Sequence, residues 1–201
     1  MVAAINKGVD QGSIMAWLAN PDEQQLLDGS RLQGALPKDN AEETVLGVYY
    51  RDTSASKIDY YLQTATHTTS DVCTSPENPT FTTTVTLHSN LTVEQAQALP
   101  DYVKSGHFGA DMFSTQVFVY GPVGATLTDA SVNSQGVSTL QNAGATDLGR
   151  PVGTFTAYLA PGESSTVTAT FTGAPGQYGP LEVRGTPMIN ATAQSVEPVC
   201  G

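Results

Sequence analysis

The chain has 201 residues, enough for one generous domain or for one domain with an appendage. Hydrophobic residues make up 39% and charged residues 13%, so a core can form and the composition is not that of a disordered chain. Eight Lys and Arg against nineteen Asp and Glu give a net charge of −11, which leaves no basic patch for nucleic acid, and no run of about 18 apolar residues is present to span a bilayer.

Residues 1–43 read as a helical segment and linker, and residues 44–201 as a β domain. Val2, Ile5, Val9, Ala16 and Trp17 fall on one helical face, with Gly8 and Gly12 as weak points. Asn20-Pro21-Asp22-Glu23 is a helix start, with Asn at the cap and Pro in the first turn, and Gly29 closes that short helix. From Thr44 the period changes to two. Strands are predicted at Thr44–Tyr50 and Lys57–Thr66 around the turn-rich Arg51–Ser56, with Ile58, Tyr60 and Leu62 on one face. Phe81, Thr83, Val85 and Leu87 then alternate with Thr82, Thr84, Thr86 and His88. Thr92 and Gln95 form a T-x-x-Q capping box for a helix that stops before Pro100. Further strands are expected at Gln116–Tyr120, Ala125–Ala130, Val137–Gln141, Pro151–Leu159, Ser164–Thr172 and Leu181–Met188. In Ser164–Thr172 the inward set is Val167, Ala169 and Phe171. This spacing of short strands predicts a mainly β chain: an immunoglobulin-like antiparallel β-sandwich carrying a short N-terminal helical segment.

Thr occurs 26 times, clustered in the predicted strands, where a β-branched hydroxyl suits the solvent face. Cys73 and Cys200 are the only cysteines and flank much of the β region. No C-x-x-C suggests zinc or a redox pair, and a single Cys73–Cys200 bridge is the expectation for an exported domain. Such a bridge would contribute roughly 4–5 kcal/mol on the chain-entropy model. Two free thiols are the alternative. Met1-Val2-Ala3-Ala4-Ile5 has no signal-peptide pattern, so an exported protein would carry its signal upstream.

No catalytic constellation emerges. His67, His88 and His107 lack a G-x-S-x-G elbow to serve. Ser54-Ala55-Ser56-Lys57 matches S-x-x-K but sits in a turn, without the S-D-N or K-T-G partners of that motif, and reads as chance. The adjacent pairs Glu42-Glu43 and Asp22-Glu23 lie in a linker and a helix start. Asp129, Asn133, Gln135 and Gly136 offer oxygens without a calcium-loop register, so no metal and no cofactor is expected. The doublets Tyr49-Tyr50 and Tyr60-Tyr61 are the best binding candidates, because one Tyr of each pair in a strand must point away from the core. A cross-strand pair covering the sheet, or a face buried under the N-terminal helix, is the structural alternative.

Leu159-Ala160-Pro161-Gly162-Glu163 followed by Ser164–Thr168 resembles the strand–turn–strand signature of bacterial immunoglobulin-like and fibronectin-like modules. A wider series runs through Trp17, Pro21–Gln24, Gly34–Pro37, Gly47–Tyr50, Lys57–Leu62, Leu99–Val103 and Val119–Gly124. Over roughly residues 14–190 it resembles the C-terminal part of an actinobacterial family of envelope proteins, catalogued as domain of unknown function 4012. The resemblance implies a membrane anchor upstream, export and residence at the cell surface; it carries no catalytic residues. The reading is therefore a non-enzymatic extracytoplasmic domain with a structural or recognition role. Its expected partners are envelope glycan or another surface protein, without membrane contact of its own. The rival reading is part of an envelope glycan-processing enzyme, with catalytic residues in a cleft or upstream.

Overall fold

The computed structural model describes residues 2–104 and 112–198. Among these residues three short α-helices punctuate a β-rich chain: α1 Val2–Asp10, α2 Pro21–Gln25 and α3 Val93–Ala98. The first five strands are β1 Thr44–Asp52, β2 Leu62–Ser70, β3 Thr80–Ser89, β4 Phe113–Tyr120 and β5 Thr126–Ser134. The remaining five are β6 Val137–Asp147, β7 Arg150–Leu159, β8 Ser164–Thr172, β9 Leu181–Gly185 and β10 Ala193–Pro198.

These strands form two five-stranded sheets packed face to face, a β-sandwich. Sheet A has the order β6-β7-β4-β1-β9, and sheet B the order β10-β2-β3-β8-β5. The inner pairings are antiparallel, as expected, but each sheet ends on a parallel strand: β9 beside β1 and β10 beside β2. The core is built from the inward rows, including Leu46, Val48, Phe81, Val85, Leu87, Phe113, Val117, Phe155, Val167, Ala169 and Phe171. The inward set predicted for β8 is fully buried at all three positions.

The inward row of β2 departs from a plain apolar pattern. Thr64, Thr66, Thr68 and Ser70 are buried with Thr83 of β3. Hydroxyl pairs satisfy part of this streak, Thr68 with Thr83 at 3.1 Å and Thr64 with Thr192 at 2.6 Å. Thr can be buried at modest cost when its hydroxyl finds such a partner.

Several local predictions are met. The Asn20 side chain accepts from the Asp22 N–H, with Pro21 in the first turn of α2. Both bonds of the Thr92–Gln95 capping box are present at α3. Between β1 and β2 the chain differs from the expected strand at Lys57–Thr66. Residues Ile58–Tyr61 form a turn of 3₁₀ helix, and the strand starts only at Leu62. Ile58 and Leu62 are buried while Tyr60 is 60% exposed, because a 3₁₀ turn does not keep the two-residue alternation of a strand.

The N-terminal segment lies against the sandwich without burying its apolar face. Helix α1 has no buried residue, and Val2, Ile5, Met15 and Trp17 are all exposed. The helix ends before Gly12, whose φ of +73° lies in the left-handed region that favours glycine, so Ala16 and Trp17 do not continue its face. The segment is held through polar contacts. The Arg31 guanidinium donates to Asp10 O at 2.8 Å and pairs with Glu182 on β9, while Arg184 bridges Glu182 and Glu43.

One buried charge fixes the linker before β1. Arg150, 2% exposed, donates to Val45 O at 2.7 Å, Gly121 O at 3.0 Å and Pro37 O at 2.7 Å. It therefore ties the linker, the start of β1 and the end of β4 together at one end of the inner strands of sheet A.

Candidate functional site

The outer surface of sheet A carries the one aromatic cluster on a regular face of the sandwich among the described residues. Tyr49 of β1 lies directly across from Phe118 of β4, and Gly47 across from Tyr120. Because Val48, Val117 and Val119 point into the core, the alternate residues Tyr49, Phe118 and Tyr120 point outward. All three are half-buried. The rings of Tyr49 and Tyr120 meet edge to face, with centroids 5.6 Å apart at 89°. Gly47 makes this possible: a Cβ there would meet the Tyr49 ring at 2.7 Å and Leu36 of the linker at 3.2 Å.

Polar groups border the aromatic trio. Gln116 and Gln141 share a side-chain hydrogen bond of 2.9 Å, and Thr154 stands beside Phe118 on β7. The Tyr120 hydroxyl donates to Asp147 Oδ2 at 3.1 Å. Burial pushes the Tyr49 phenol above its ordinary pKa, against the nearby Arg184 and Arg150 charges. Burial and the Asp147 carboxylate do the same for Tyr120. Both phenols therefore stay protonated at neutral pH and present donors next to ring faces. Aromatic rings with amides and hydroxyls at their rim, on a stiff sheet, can stack on the apolar face of a sugar and hydrogen-bond its hydroxyls.

The tyrosine doublets do not share a surface as neighbouring strands, because β1 belongs to sheet A and β2 to sheet B. Tyr49 joins the aromatic face. Tyr50 points inward, with its hydroxyl beside Thr64 and Thr66 and its pKa raised by burial. Tyr60 and Tyr61 stack edge to face at 5.2 Å in the 3₁₀ turn, Tyr61 against the core. Phe118 and Tyr120 complete the site without having been singled out. The alternation of Val117 and Val119 with Phe118 and Tyr120 was the signal that marks them.

A second locality gathers carboxylates. The Asp52 Oδ1 accepts from the Ser54 N–H at 2.7 Å and from the Ser54 hydroxyl, which also meets Ser56 Oγ at 2.9 Å. Ala55 in this turn has φ +53°, a left-handed conformation that few non-glycine residues adopt. Asp59 follows in the 3₁₀ turn with a buried, unpartnered Oδ1. Burial, reinforced by the Asp52 charge, lifts its pKa from 3.8 to about 6. Ser54 is fully buried, and the Lys57 ammonium lies over the Tyr102 ring at 5.4 Å, so the S-x-x-K stretch forms a turn rather than an exposed nucleophile beside its base.

The other sequence candidates scatter. His67 and His88 lie on sheet B, their Nδ1 atoms 2.8 Å from Ser195 and Ser164 hydroxyls. Asp129 and Asn133 sit four residues apart on β5, about 13 Å along a strand, too far to share one ion. Gln135 instead accepts from the Ser164 N–H at 3.0 Å. Glu43 pairs with Arg184, and Asp22 and Glu23 occupy the first turn of α2. Among the described residues, no group of three or more His, Cys, Asp or Glu converges. Cys73 lies in the β2–β3 connection; Cys200 and His107 lie outside the described residues. Comparison with protein-family models and with curated proteins finds no match for the chain.

Proposed function

We propose that the chain is a non-enzymatic recognition domain of a longer, membrane-anchored bacterial envelope protein, working outside the cytoplasm and contacting envelope glycan through sheet A. The observation that carries this reading is the outward trio Tyr49, Phe118 and Tyr120, with the Gln116–Gln141 pair and Asp147 at its edge. The acidic balance favours a neutral ligand over a polyanion. Its setting at the cell surface draws on the resemblance to the actinobacterial envelope family. The register of β10 supports the Cys73–Cys200 bridge that export would allow. Pro198 lies opposite Ser70 on a parallel strand, so the chain reaches that point two residues before Cys200 and three before Cys73.

The test is sedimentation of the purified domain with isolated actinobacterial envelope, with the soluble phase assayed for released sugars. Saturable co-sedimentation is expected, lost in Tyr49→Ala/Tyr120→Ala and retained in His67→Ala. Equal sedimentation of the tyrosine variant would refute this face as the site. A second reading, a glycan-processing enzyme, rests on Asp59, since a carboxyl whose pKa is raised to about 6 by burial and the Asp52 charge suits general acid chemistry. Released fragments that disappear in Asp59→Asn would establish that reading instead.

A further inference from the structure

We infer that the sugar seated on the outer face of sheet A carries a carboxylate, as a uronic acid does, and that Arg51 binds it. The inference rests on the reading of that face as a glycan site and adds the chemical class of the sugar. Arg51 lies two residues beyond Tyr49 on β1, directly across from Gln116 of β4. With Tyr50 packed against the core, strand alternation turns Tyr49 and Arg51 to the same outer face, about 6.8 Å apart along the strand. Arg51 therefore borders the aromatic trio on the side where Gln116 and Gln141 share their hydrogen bond.

Arg51 differs from every other arginine in the chain. Arg31 pairs with Glu182, Arg184 bridges Glu182 and Glu43, and Arg150 is buried on three main-chain carbonyls. Arg51 is exposed, and among the described residues neither a carboxylate nor a ring holds its guanidinium. The next residue, Asp52, is turned to the opposite face, and its Oδ1 accepts from the Ser54 N–H and hydroxyl. In a chain with nineteen acidic residues, the arginine left without an acidic partner is the one beside the exposed rings.

The other end of the same face carries the opposite charge. Tyr120 lies four residues beyond Gln116 on β4, about 13 Å along the strand, and its hydroxyl donates to the Asp147 carboxylate. That separation exceeds the Debye length of about 8 Å at physiological salt, so the two charges act on a ligand separately. A sugar stacked on Tyr49 and Phe118 lies between them. Its hydroxyls suit the Asp147 end, where a carboxylate accepts. Its own carboxylate is repelled from that end and meets a planar fork of donors at Arg51, which it matches with two parallel N–H···O bonds. The net charge of −11 opposes a polyanion, in which every repeat is repelled, whereas one carboxylate on an otherwise neutral sugar meets the local cation within a Debye length.

The experiment titrates the isotope-labelled full chain with methyl β-glucuronide, methyl β-glucoside and glucose 6-phosphate, following amide resonances. The glucuronide is expected to shift Tyr49, Arg51 and Phe118. It should bind about fivefold more tightly than the glucoside at low salt, the span an exposed ion pair supplies. At roughly 0.5 M salt that preference should shrink below about twofold. Arg51→Gln, at an exposed position whose side chain holds nothing else in the fold, should bring the glucuronide down to the affinity of the glucoside. Equal binding of the two sugars by the unaltered protein overturns the inference and leaves the glycan reading of the face standing. Shifts from neither sugar overturn both. A preference that survives in Arg51→Gln, or tighter binding of the phosphate than of the glucuronide, refutes the pairing of Arg51 with a carboxylate.

Discussion

Arg150 offers the sharpest test of how sheet A is held together. Its guanidinium is 2% exposed, and its three hydrogen bonds run to main-chain oxygens of Val45, Gly121 and Pro37 at 2.7–3.0 Å. Burial lowers its pKa, partly offset by the nearby Tyr49 phenol. Arg150→Met keeps the stem and removes the charge. Each hydrogen bond to a charged group is worth about 1.5–3 kcal/mol, but removing the cation also ends its desolvation cost. What remains is three carbonyls stripped of donors, at ~1–2 kcal/mol each once the linker relaxes toward water. The expected loss is about 3–6 kcal/mol, read by urea denaturation, or on the order of 10 °C in melting temperature for a domain of this size. Arg150→Lys should fall between, because an ammonium cannot reach three diverging carbonyls in a fixed fork. Limited proteolysis gives a second readout: release of Pro37 O should open new cleavage between residues 34 and 40. A loss under ~1 kcal/mol with the linker still protected would refute the clamp.

Asp59→Asn should stabilise the protein at pH 8, where the wild-type side chain must be charged in a site that disfavours charge. The pKa is raised from 3.8 to about 6, so its stability contribution is present below the unfolded value and lost as pH rises through 6. That displacement sets an upper limit of about 3 kcal/mol, and solvent screening of a partly exposed carboxyl brings it to ~1 kcal/mol. Urea midpoints of the two proteins should therefore converge toward pH 4; a gain that is constant from pH 4 to 8 would exclude titration as its cause. Gly185→Ala should cost about 1–3 kcal/mol, because the new Cβ falls 2.3 Å from Val48 O and pushes β9 off β1. Chemical denaturation measures it. Thr92→Ala should cost about 1 kcal/mol through the lost bond from the Gln95 N–H to the Thr92 hydroxyl at the start of α3, measured the same way. Thiol titration of the unreduced, denatured chain should count zero reactive cysteines if Cys73 and Cys200 are bridged.

Local signals carried most of the element predictions. Asn20-Pro21 and Thr92–Gln95 cap helices because their partners lie within three residues, and Ser164–Thr172 is one strand because its alternation is unbroken. What depended on distant partners was not legible. Residues Ala193–Pro198 contain Pro and Glu and do not read as a strand, yet an edge position beside β2 tolerates both. The Thr-rich pattern suggested solvent faces, but Thr64, Thr66 and Thr68 are buried because their row faces sheet A across the core. For the site, strand alternation reveals that one of Tyr49 and Tyr50 points outward. It does not reveal which, and it cannot place Phe118 beside Tyr49, because that contact joins strands 60 or more residues apart.

The two outer faces of the sandwich differ in a way that bears on where recognition resides. On sheet B the outward hydroxyls of β3 and β8 satisfy one another across the strands: Thr82 with Thr170, Thr84 with Thr168 and Thr86 with Thr166, at 3.1–3.3 Å. His88 and His67 are likewise engaged with Ser164 and Ser195. A ligand on that face would have to compete with bonds already made, and among the described residues the strands of sheet B turn no tyrosine or phenylalanine ring outward. On sheet A, Tyr49, Phe118 and Tyr120 leave apolar ring surface half-exposed. The exposed ring surface thus falls on sheet A, the sheet that Arg150 and the Arg31–Glu182–Arg184 network brace against the N-terminal segment. A rigid sheet lowers the ordering cost of binding. The same bracing that makes Arg150→Met destabilising should therefore make it weaken glycan contact at Tyr49, through the loosened linker at Leu36, even at temperatures where the variant stays folded.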